Sequence, residues 1–268
     1  MIFFTKLTKQ KKFNSSGFTL LELLLVIVII GIIVGSLSFN FSPNKLQLTA
    51  DQILRDIRFT QSLALKDDKY QPFPKSTSTA DQNQSKYWFK QWWQIKFATD
   101  SGDKIYYIFS DSAGNNSTNF DRKILASTFK KEIVKGPNGF YMYGGDTYLP
   151  SGVKTNKELN LTKNGIVRIE LKMGSVRYSN GSVHLLFDNF GNIFLNEGNY
   201  SSVSTIAGDS GDINPLDSVR TLVTSDIHIN LCTQLNNSNY CLTDDKHCIG
   251  ITVSPNGESY ISKCITIY

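Results

Sequence analysis

The sequence lacks the residue patterns that mark an enzyme. Its 268 residues contain three histidines, His184, His228 and His247, which are far apart in the chain. No serine or cysteine lies in a nucleophile motif, and there is no glycine-rich phosphate loop. We therefore expect no enzymatic activity, no catalytic residues and no cofactor.

An excess of one charge is also missing from most of the chain. The formal net charge is +5, but four lysines and no acidic residues lie in residues 1–17. Outside that segment, 24 basic residues are balanced by 23 acidic residues. The rest of the protein therefore has no general attraction for nucleic acid or anionic lipid, which argues against a nucleic-acid partner.

Basic residues and histidine are absent from Phe18 to Leu37, and the only charge in this apolar run is Glu22. A helix of this length reaches about 30 Å, so the run predicts a transmembrane helix at residues 18–37. A carboxylate in hydrocarbon costs about 2.5 kcal/mol or more, so Glu22 needs a partner from outside the helix. The simpler interpretation is an acid near the interfacial end of the helix, within reach of solvent or headgroups.

Small residues in the second half of this run suggest two different roles, helix packing and signal-peptide cleavage. Gly31 and Gly35 are four residues apart, a spacing that allows helices to pack closely. The small residues 34–36 could serve as an ordinary secretory cleavage site. Against that reading, polar residues 14–17 precede the apolar run, and the run leads directly into a helical pattern.

The lysine-rich leader, Gly17, Phe18, Glu22 and the apolar run together resemble the class III signal of type IV pilins and type II secretion pseudopilins. The resemblance implies that a prepilin peptidase cuts after Gly17 and methylates the new N-terminal residue, Phe18. It also implies that Glu22 meets the N-terminal ammonium of a neighbouring subunit during filament assembly. Residues 1–17 would then be a leader peptide, and residues 18–37 a transmembrane and filament-core helix.

The helical pattern continues over residues 38–66. Asp51 and Arg55 are spaced for an i, i+4 pair on the polar side of this amphipathic helix. Residues 50–64 are also similar to the helix of H-type minor pseudopilins and FimT-like minor pilins, which implies a minor component. The apolar face is predicted to contain Leu46, Ala50, Ile53, Ile57 and Ala64.

The remaining chain changes from helical to alternating periodicity. Residues 67–86 are polar and are predicted to form a linker or surface loop, and residues 87–268 a β-rich head. The expected fold class is therefore α+β: a long N-terminal helix followed by an antiparallel, pilin-like head. Strands are predicted around residues 93–97, 105–109, 165–173, 182–188, 192–196 and 221–231.

Two turns in the head strengthen the second resemblance. Residues 187–191 and 251–257 are similar to the strand, turn and glycine signature of H-type heads. In FimT-like proteins that bind DNA, a basic stretch follows such a glycine. Here Gly257 is followed by Glu258, Ser259 and Tyr260, so the DNA-binding residues of that family have no counterpart.

All four cysteines lie in the last 37 residues, at Cys232, Cys241, Cys248 and Cys264. In an oxidising compartment an even, clustered set predicts two disulfides, with three possible connectivities. Residues 255–257 suit a three-residue hairpin loop, and the resulting register places Cys248 opposite Cys264. This favours Cys248–Cys264 and Cys232–Cys241. A zinc site that includes His247 is the alternative, but the spacings match no zinc ribbon.

Two further groups of residues suggest ligand binding less strongly. Asp209, Asp212 and Asp217 could bind calcium, but their spacing departs from an EF-hand loop, so a solvated turn is favoured and no metal site is predicted. Three tryptophans could form a stacking platform, although core or subunit contact is the better expectation for aromatic residues in strands. They are Trp88, Trp92 and Trp93.

Together these patterns predict a minor pilin or pseudopilin that assembles into, or primes, a type II secretion pseudopilus or type IV pilus. The expected partners are the prepilin peptidase and methyltransferase, other pilin or pseudopilin subunits, and the inner-membrane assembly platform. The expected location is the bacterial inner membrane, with a single span and the head in the periplasm. The alternatives are a minor pilin whose head binds DNA or another ligand, and a membrane-anchored β-domain unrelated to filaments.

Overall fold

The computed structural model describes residues 19–37, 44–70, 73–86, 91–98, 102–110, 132–145, 149, 151–178, 182–197 and 221–267. It divides the chain into two compact units, residues 1–43 and residues 44–268. The first contains one helix, and the second contains a helix followed by a β-rich head. This arrangement is the α+β, pilin-like fold expected from the sequence.

Three α-helices and ten β-strands form the described structure. The helices are α1 (Leu20–Leu37), α2 (Lys45–Lys66) and α3 (Thr79–Lys86). The strands are β1 (Trp93–Ala98), β2 (Ile105–Phe109), β3 (Arg168–Met173), β4 (Val176–Tyr178), β5 (Ser182–Phe187), β6 (Ile193–Glu197), β7 (Thr221–Leu222), β8 (Ile227–Cys232), β9 (Cys248–Val253) and β10 (Ser259–Ser262).

Helix α1 forms from the apolar run and starts two residues after Phe18. Leucine dominates its first half and isoleucine and valine its second, and Glu22 is the only charged residue within it. In the part of the chain that the structure describes, no helix has both the length and the apolar character needed to cross a membrane.

Helix α2 has the predicted amphipathic face. Asn44 caps its N-terminus by accepting a hydrogen bond from the Leu46 amide at 3.2 Å, which satisfies an amide that has no partner within the helix. The Asp51 carboxylate accepts from Gln47 Nε2, one turn earlier, at 3.2 Å. The five predicted apolar positions are all buried: Leu46, Ala50, Ile53, Ile57 and Ala64.

The head contains two five-stranded antiparallel sheets. Their strand orders are β2-β1-β5-β6-β7 and β10-β9-β8-β3-β4. Helix α2 packs against β1 and β5 of the first sheet and against β8, β9 and β10 of the second. One continuous hydrophobic core therefore lies between α2 and the inner faces of both sheets.

The first sheet is also covered on its outer face. Lys96 is 4% exposed, and its ammonium lies 5.8 Å from the ring centroid of Tyr107 on the neighbouring strand. Around Tyr107 a second hydrophobic cluster includes Phe109, Ile133, Tyr141 and Tyr143. Strands β1 and β2 are therefore buried on both faces. The continuous apolar run of β2 is typical of such a strand, whereas the alternating sequence of β1 is typical of a strand with one solvated face.

The predicted strand at residues 221–231 is wrong in one respect, because the structure divides it. Strand β7 pairs with β6 in the first sheet, whereas β8 pairs with β3 and β9 in the second. The amide of Val223 still donates to Ile193 O at 2.9 Å before the chain crosses between the sheets. A run of β-forming residues does not show which sheet each part joins.

The predicted linker at residues 67–86 is also partly wrong, since its second half forms α3. Ser78 Oγ accepts a hydrogen bond from the Asp81 amide at 3.2 Å and donates to the Asp81 carboxylate at 3.0 Å. A serine that binds the residue three positions later in this way stabilises the first turn of a helix. The polar composition concealed this short helix.

Candidate functional site

The N-terminus of α1 contains a reciprocal capping box. The backbone amide and the hydroxyl of Thr19 both donate to Glu22 Oε2, at 2.9 and 3.0 Å. In return the Glu22 amide donates to Thr19 Oγ1 at 3.2 Å. The carboxylate therefore satisfies the amide of Thr19, the residue immediately before the helix, and its negative charge lies at the positive end of the helix dipole.

The sequence contains a signal for this local role of Glu22, in addition to the predicted contact between subunits. A threonine followed three residues later by glutamate, before an apolar run, is the pattern of a capping box. Gly17 and Phe18, the predicted cleavage and methylation positions, lie outside the described residues. The predicted contact of Glu22 with another subunit stays a prediction.

From Leu20 to Ile32, the large apolar side chains of α1 are exposed. Among the large hydrophobic residues from Leu20 to Ile32, fractional exposure ranges from 44% to 82%. Gly31 has no other group within 4 Å of the position that a Cβ would occupy. An apolar surface of this extent marks contact with a membrane or with other proteins. Close helix packing at Gly31 and Gly35 stays a prediction.

In the head, polar side chains of α2 hold the hairpin between β9 and β10. Gln61 Nε2 donates to Gly257 O at 2.7 Å, and Arg58 Nη2 donates to Ser259 O at 2.5 Å. Gly257 has φ of +91°, a left-handed conformation that favours glycine in a three-residue hairpin loop. The glycine that resembles the H-type signature is thus a point of contact between helix and sheet.

The hairpin has the register predicted from its turn. Tyr260 lies opposite Thr252, and Ser262 lies opposite Gly250. Beyond the paired residues, Cys264 forms a disulfide with Cys248.

The other two cysteines, Cys232 and Cys241, are also joined to each other, so both favoured disulfides are present. These bonds use all four sulfurs, which removes the cysteine ligands of the alternative zinc site.

The three histidines lie on different elements and contact different groups. His184 is buried, and its Nδ1 lies 2.7 Å from Gln94 Oε1. Burial, followed by the nearby charge of Lys96, holds the pKa of His184 well below its ordinary value. His228 Nδ1 lies 3.1 Å from Thr252 Oγ1, and His247 Nδ1 lies 2.8 Å from Asp244 Oδ1.

The remaining candidate ligand groups are partly outside the described residues. Asp209, Asp212, Asp217 and Trp88 all fall in undescribed ranges. Trp92 is buried against Phe194, with ring centroids 4.8 Å apart. Trp93 packs against the main core and donates from Nε1 to Asp67 at 3.1 Å. These two tryptophans therefore serve packing and do not form a stacking platform.

Asp56 on α2 and Tyr106 on β2 form a buried hydrogen-bonded pair that the sequence did not predict. Tyr106, which is fully buried on β2, lies with its hydroxyl 2.6 Å from Asp56 Oδ2 and donates to it. Burial raises the pKa of Asp56 to about 6, although the Tyr106 hydrogen bond and the charge of Arg55 oppose the change. Burial also raises the pKa of Tyr106 well above its usual range.

Comparison with known families identifies the N-terminal segment. Residues 12–38 match the family described as the prokaryotic N-terminal methylation motif. No curated protein and no solved structure matches the chain. The matched residues include Gly17, Phe18 and Glu22. This motif implies processing by a prepilin peptidase and assembly with other pilin subunits, and its match supports the type IV pilin and pseudopilin superfamily.

Proposed function

We propose that the protein is a minor subunit of a type II secretion pseudopilus or a type IV pilus, which it joins or primes after its leader is removed. The observation that carries this proposal is the methylation motif at residues 12–38, followed by a helix whose apolar side chains are exposed. Such a helix needs a membrane before assembly and neighbouring helices afterwards. The protein is the substrate of a peptidase and methyltransferase and is not itself an enzyme.

Cleavage between Gly17 and Phe18 would create an ammonium group one residue before Thr19. Within the described residues, both hydrogen bonds to the Glu22 carboxylate end on Oε2. Oε1 is therefore left for a second partner, while Oε2 continues to cap the helix. An N-methylated ammonium of a neighbouring subunit supplies a suitable donor, and pairing it with Glu22 neutralises two poorly solvated charges at once.

Two observations support an inner-membrane location before assembly, with the head in the periplasm. The lysines precede the apolar run, and basic residues mark the cytoplasmic side of a membrane helix. The two disulfides of the head fit an oxidising compartment. The inner-membrane assembly platform is the expected partner at this stage.

The minor-subunit assignment depends on the resemblance of residues 50–64 and of the head turns to H-type heads. The contact between Gln61 and Gly257 joins these two segments. It supports the interpretation that the helix and the glycine belong to one structural unit.

The first test is co-expression of the full chain with and without prepilin peptidase, followed by intact mass measurement and N-terminal sequencing. We expect a peptidase-dependent chain that begins at Phe18 and carries one added methyl group. Gly17→Val is the control that blocks processing. An intact Met1, or cleavage near Ser36, would overturn the proposal and leave an anchored or secreted β-domain.

The second test separates the two roles of Glu22. Glu22→Gln keeps an oxygen that can accept from Thr19 but removes the charge, whereas Glu22→Ala removes both. If pairing with the ammonium drives assembly, both variants lose crosslinks to neighbouring subunits and both are still cleaved. If helix capping alone matters, Glu22→Gln assembles normally and only Glu22→Ala fails.

A further inference from the structure

The C-terminal strap, residues 263–267, crosses the outer face of the second sheet. It follows β10 and passes directly over Gly250 of β9, where a Cβ would lie 2.5 Å from Lys263 O. Only glycine leaves room for the strap at this point. Ile267 at the far end of the strap is 2% exposed, so this end of the strap packs onto the head.

A buried side chain on β8 holds the middle of the strap. Asn230 is 0% exposed, and its Nδ2 donates to Ile265 O at 2.7 Å. The Ile265 amide donates back to Asn230 Oδ1 at 3.3 Å. The side-chain amide thus binds the strap as a neighbouring β-strand would, by one donated and one accepted hydrogen bond.

The strap is also held by a disulfide whose two cysteine residues differ in exposure. Cys264 lies on the strap and is half-buried, whereas its partner Cys248 on β9 is 5% exposed. The other disulfide is protected on both sides, since Cys232 is 0% and Cys241 3% exposed. Thiol–disulfide exchange requires a thiolate to reach one of the sulfurs, so access favours attack at Cys264.

We propose that the Cys248–Cys264 disulfide is a thiol–disulfide exchange site whose opening releases the C-terminal strap while Cys232–Cys241 stays closed. The co-reactant is a small dithiol. One of its thiolates attacks Cys264 Sγ, the bond to Cys248 breaks, and Cys248 leaves as a thiolate. The second thiolate of the reductant displaces Cys264, so the reductant becomes a cyclic disulfide and both protein thiolates take up protons from solvent.

Among the described residues, opening this bond leaves the Asn230 hydrogen bonds, the packing of Ile267 and an exposed ion pair between Lys263 Nζ and Asp245 Oδ2 at 3.5 Å to hold the strap. An exposed ion pair of this kind contributes little. Hydrogen bonds that can exchange with water are weak anchors for a short segment. Release would uncover Gly250 and the Asn230 amide on the outer face of the sheet. The site does not involve the N-terminal motif and is independent of the proposed function.

The test uses the full chain with limiting dithiothreitol under native conditions. Free thiols are alkylated at intervals and located by mass spectrometry, and carboxypeptidase digestion reports release of the strap. We expect Cys248 and Cys264 to be alkylated at least about tenfold faster than Cys232 and Cys241. We also expect the enzyme to cut into residues 263–267 only after reduction, with tryptophan fluorescence unchanged.

Variants separate the two anchors of the strap. Cys248→Ser combined with Cys264→Ser should make the strap cleavable without reductant, and Cys232→Ser combined with Cys241→Ser should leave it protected. Asn230→Ala should allow digestion as far as Cys264 and no further.

Three results on the unmodified chain would overturn the proposal, even if every variant failed to fold. The first is reduction of both disulfides at the same rate, and the second is reduction only with global unfolding. The third is a strap that stays protected after Cys248 and Cys264 have been alkylated.

Discussion

Replacing Asp56 by asparagine should stabilise the head at neutral and alkaline pH. The Asp56 carboxyl is mostly buried between α2 and β2, and its pKa is raised from 3.8 to about 6. Each pKa unit corresponds to about 1.4 kcal/mol, so a rise in the pKa of Asp56 from 3.8 to about 6 corresponds to a free energy of about 3 kcal/mol. This is the largest stability difference that titration of Asp56 can produce.

The direction in which stability changes with pH depends on whether the folded or the unfolded chain binds the Asp56 proton more tightly. Between pH 3.8 and about 6 the folded chain keeps the Asp56 proton, and the unfolded chain has released it. The contribution of Asp56 to stability is therefore full below pH 3.8, falls as the pH rises through 6, and stays low above that. The asparagine side chain of the variant would not titrate, but it keeps an oxygen that accepts from the Tyr106 hydroxyl.

The assay is urea unfolding of the full chain, followed by tryptophan fluorescence at several pH values. The difference in unfolding free energy between Asp56→Asn and the original chain should increase by up to about 3 kcal/mol between about pH 4 and about pH 8. Asp51→Asn controls for loss of one negative charge from the same helix. A difference that is independent of pH, or a less stable Asp56→Asn protein at pH 8, would refute the reasoning.

Three further changes test the packing of the head. Ile57→Ala should reduce the unfolding free energy by about 2–5 kcal/mol in the same urea assay, because it leaves a cavity at a fully buried position. Leu48→Ala, at an exposed position on the same helix, is the control and should change the unfolding free energy little. Gly250→Ala should displace Lys263 and speed carboxypeptidase digestion of the C-terminus, and unchanged digestion would contradict the close approach of the strap. Asp188→Ala should remove the carboxylate that accepts from the Phe190 amide, lower the unfolding free energy by about 1–3 kcal/mol and speed hydrogen exchange of that amide. Unchanged exchange would show that the carboxylate does not order the turn.

Local patterns predicted the elements that depend on neighbours in sequence. The apolar residues of α2 recur at spacings of three, four and seven positions. These spacings identified its buried face, because residues so spaced lie on the same side of an α-helix. The turn at residues 255–257 predicted the β9–β10 register, and the register predicted the disulfide across the hairpin. Each of these inferences spans fewer than about 20 residues, a distance over which backbone geometry is constrained.

Contacts between distant residues had no such signal. Asp56 and Tyr106 are 50 positions apart, and Asn230 and Ile265 are 35 apart. Nothing in the local sequence around either residue shows that its polar group is buried or which partner satisfies it. The split of residues 221–231 between two sheets is of the same kind, since strand propensity does not specify the partner strand.

The sequence by itself contains the N-terminal methylation motif, because that motif is a short linear pattern that does not depend on the fold. It also determined the α+β order, the amphipathic face of α2 and the favoured cysteine pairs. Tertiary structure alone decided that β1 is covered on both faces, that Asp56 is buried beside Tyr106 and that a strap closes over Gly250. Burial and close approach depend on which surfaces meet, and in this chain those surfaces come from segments far apart in sequence.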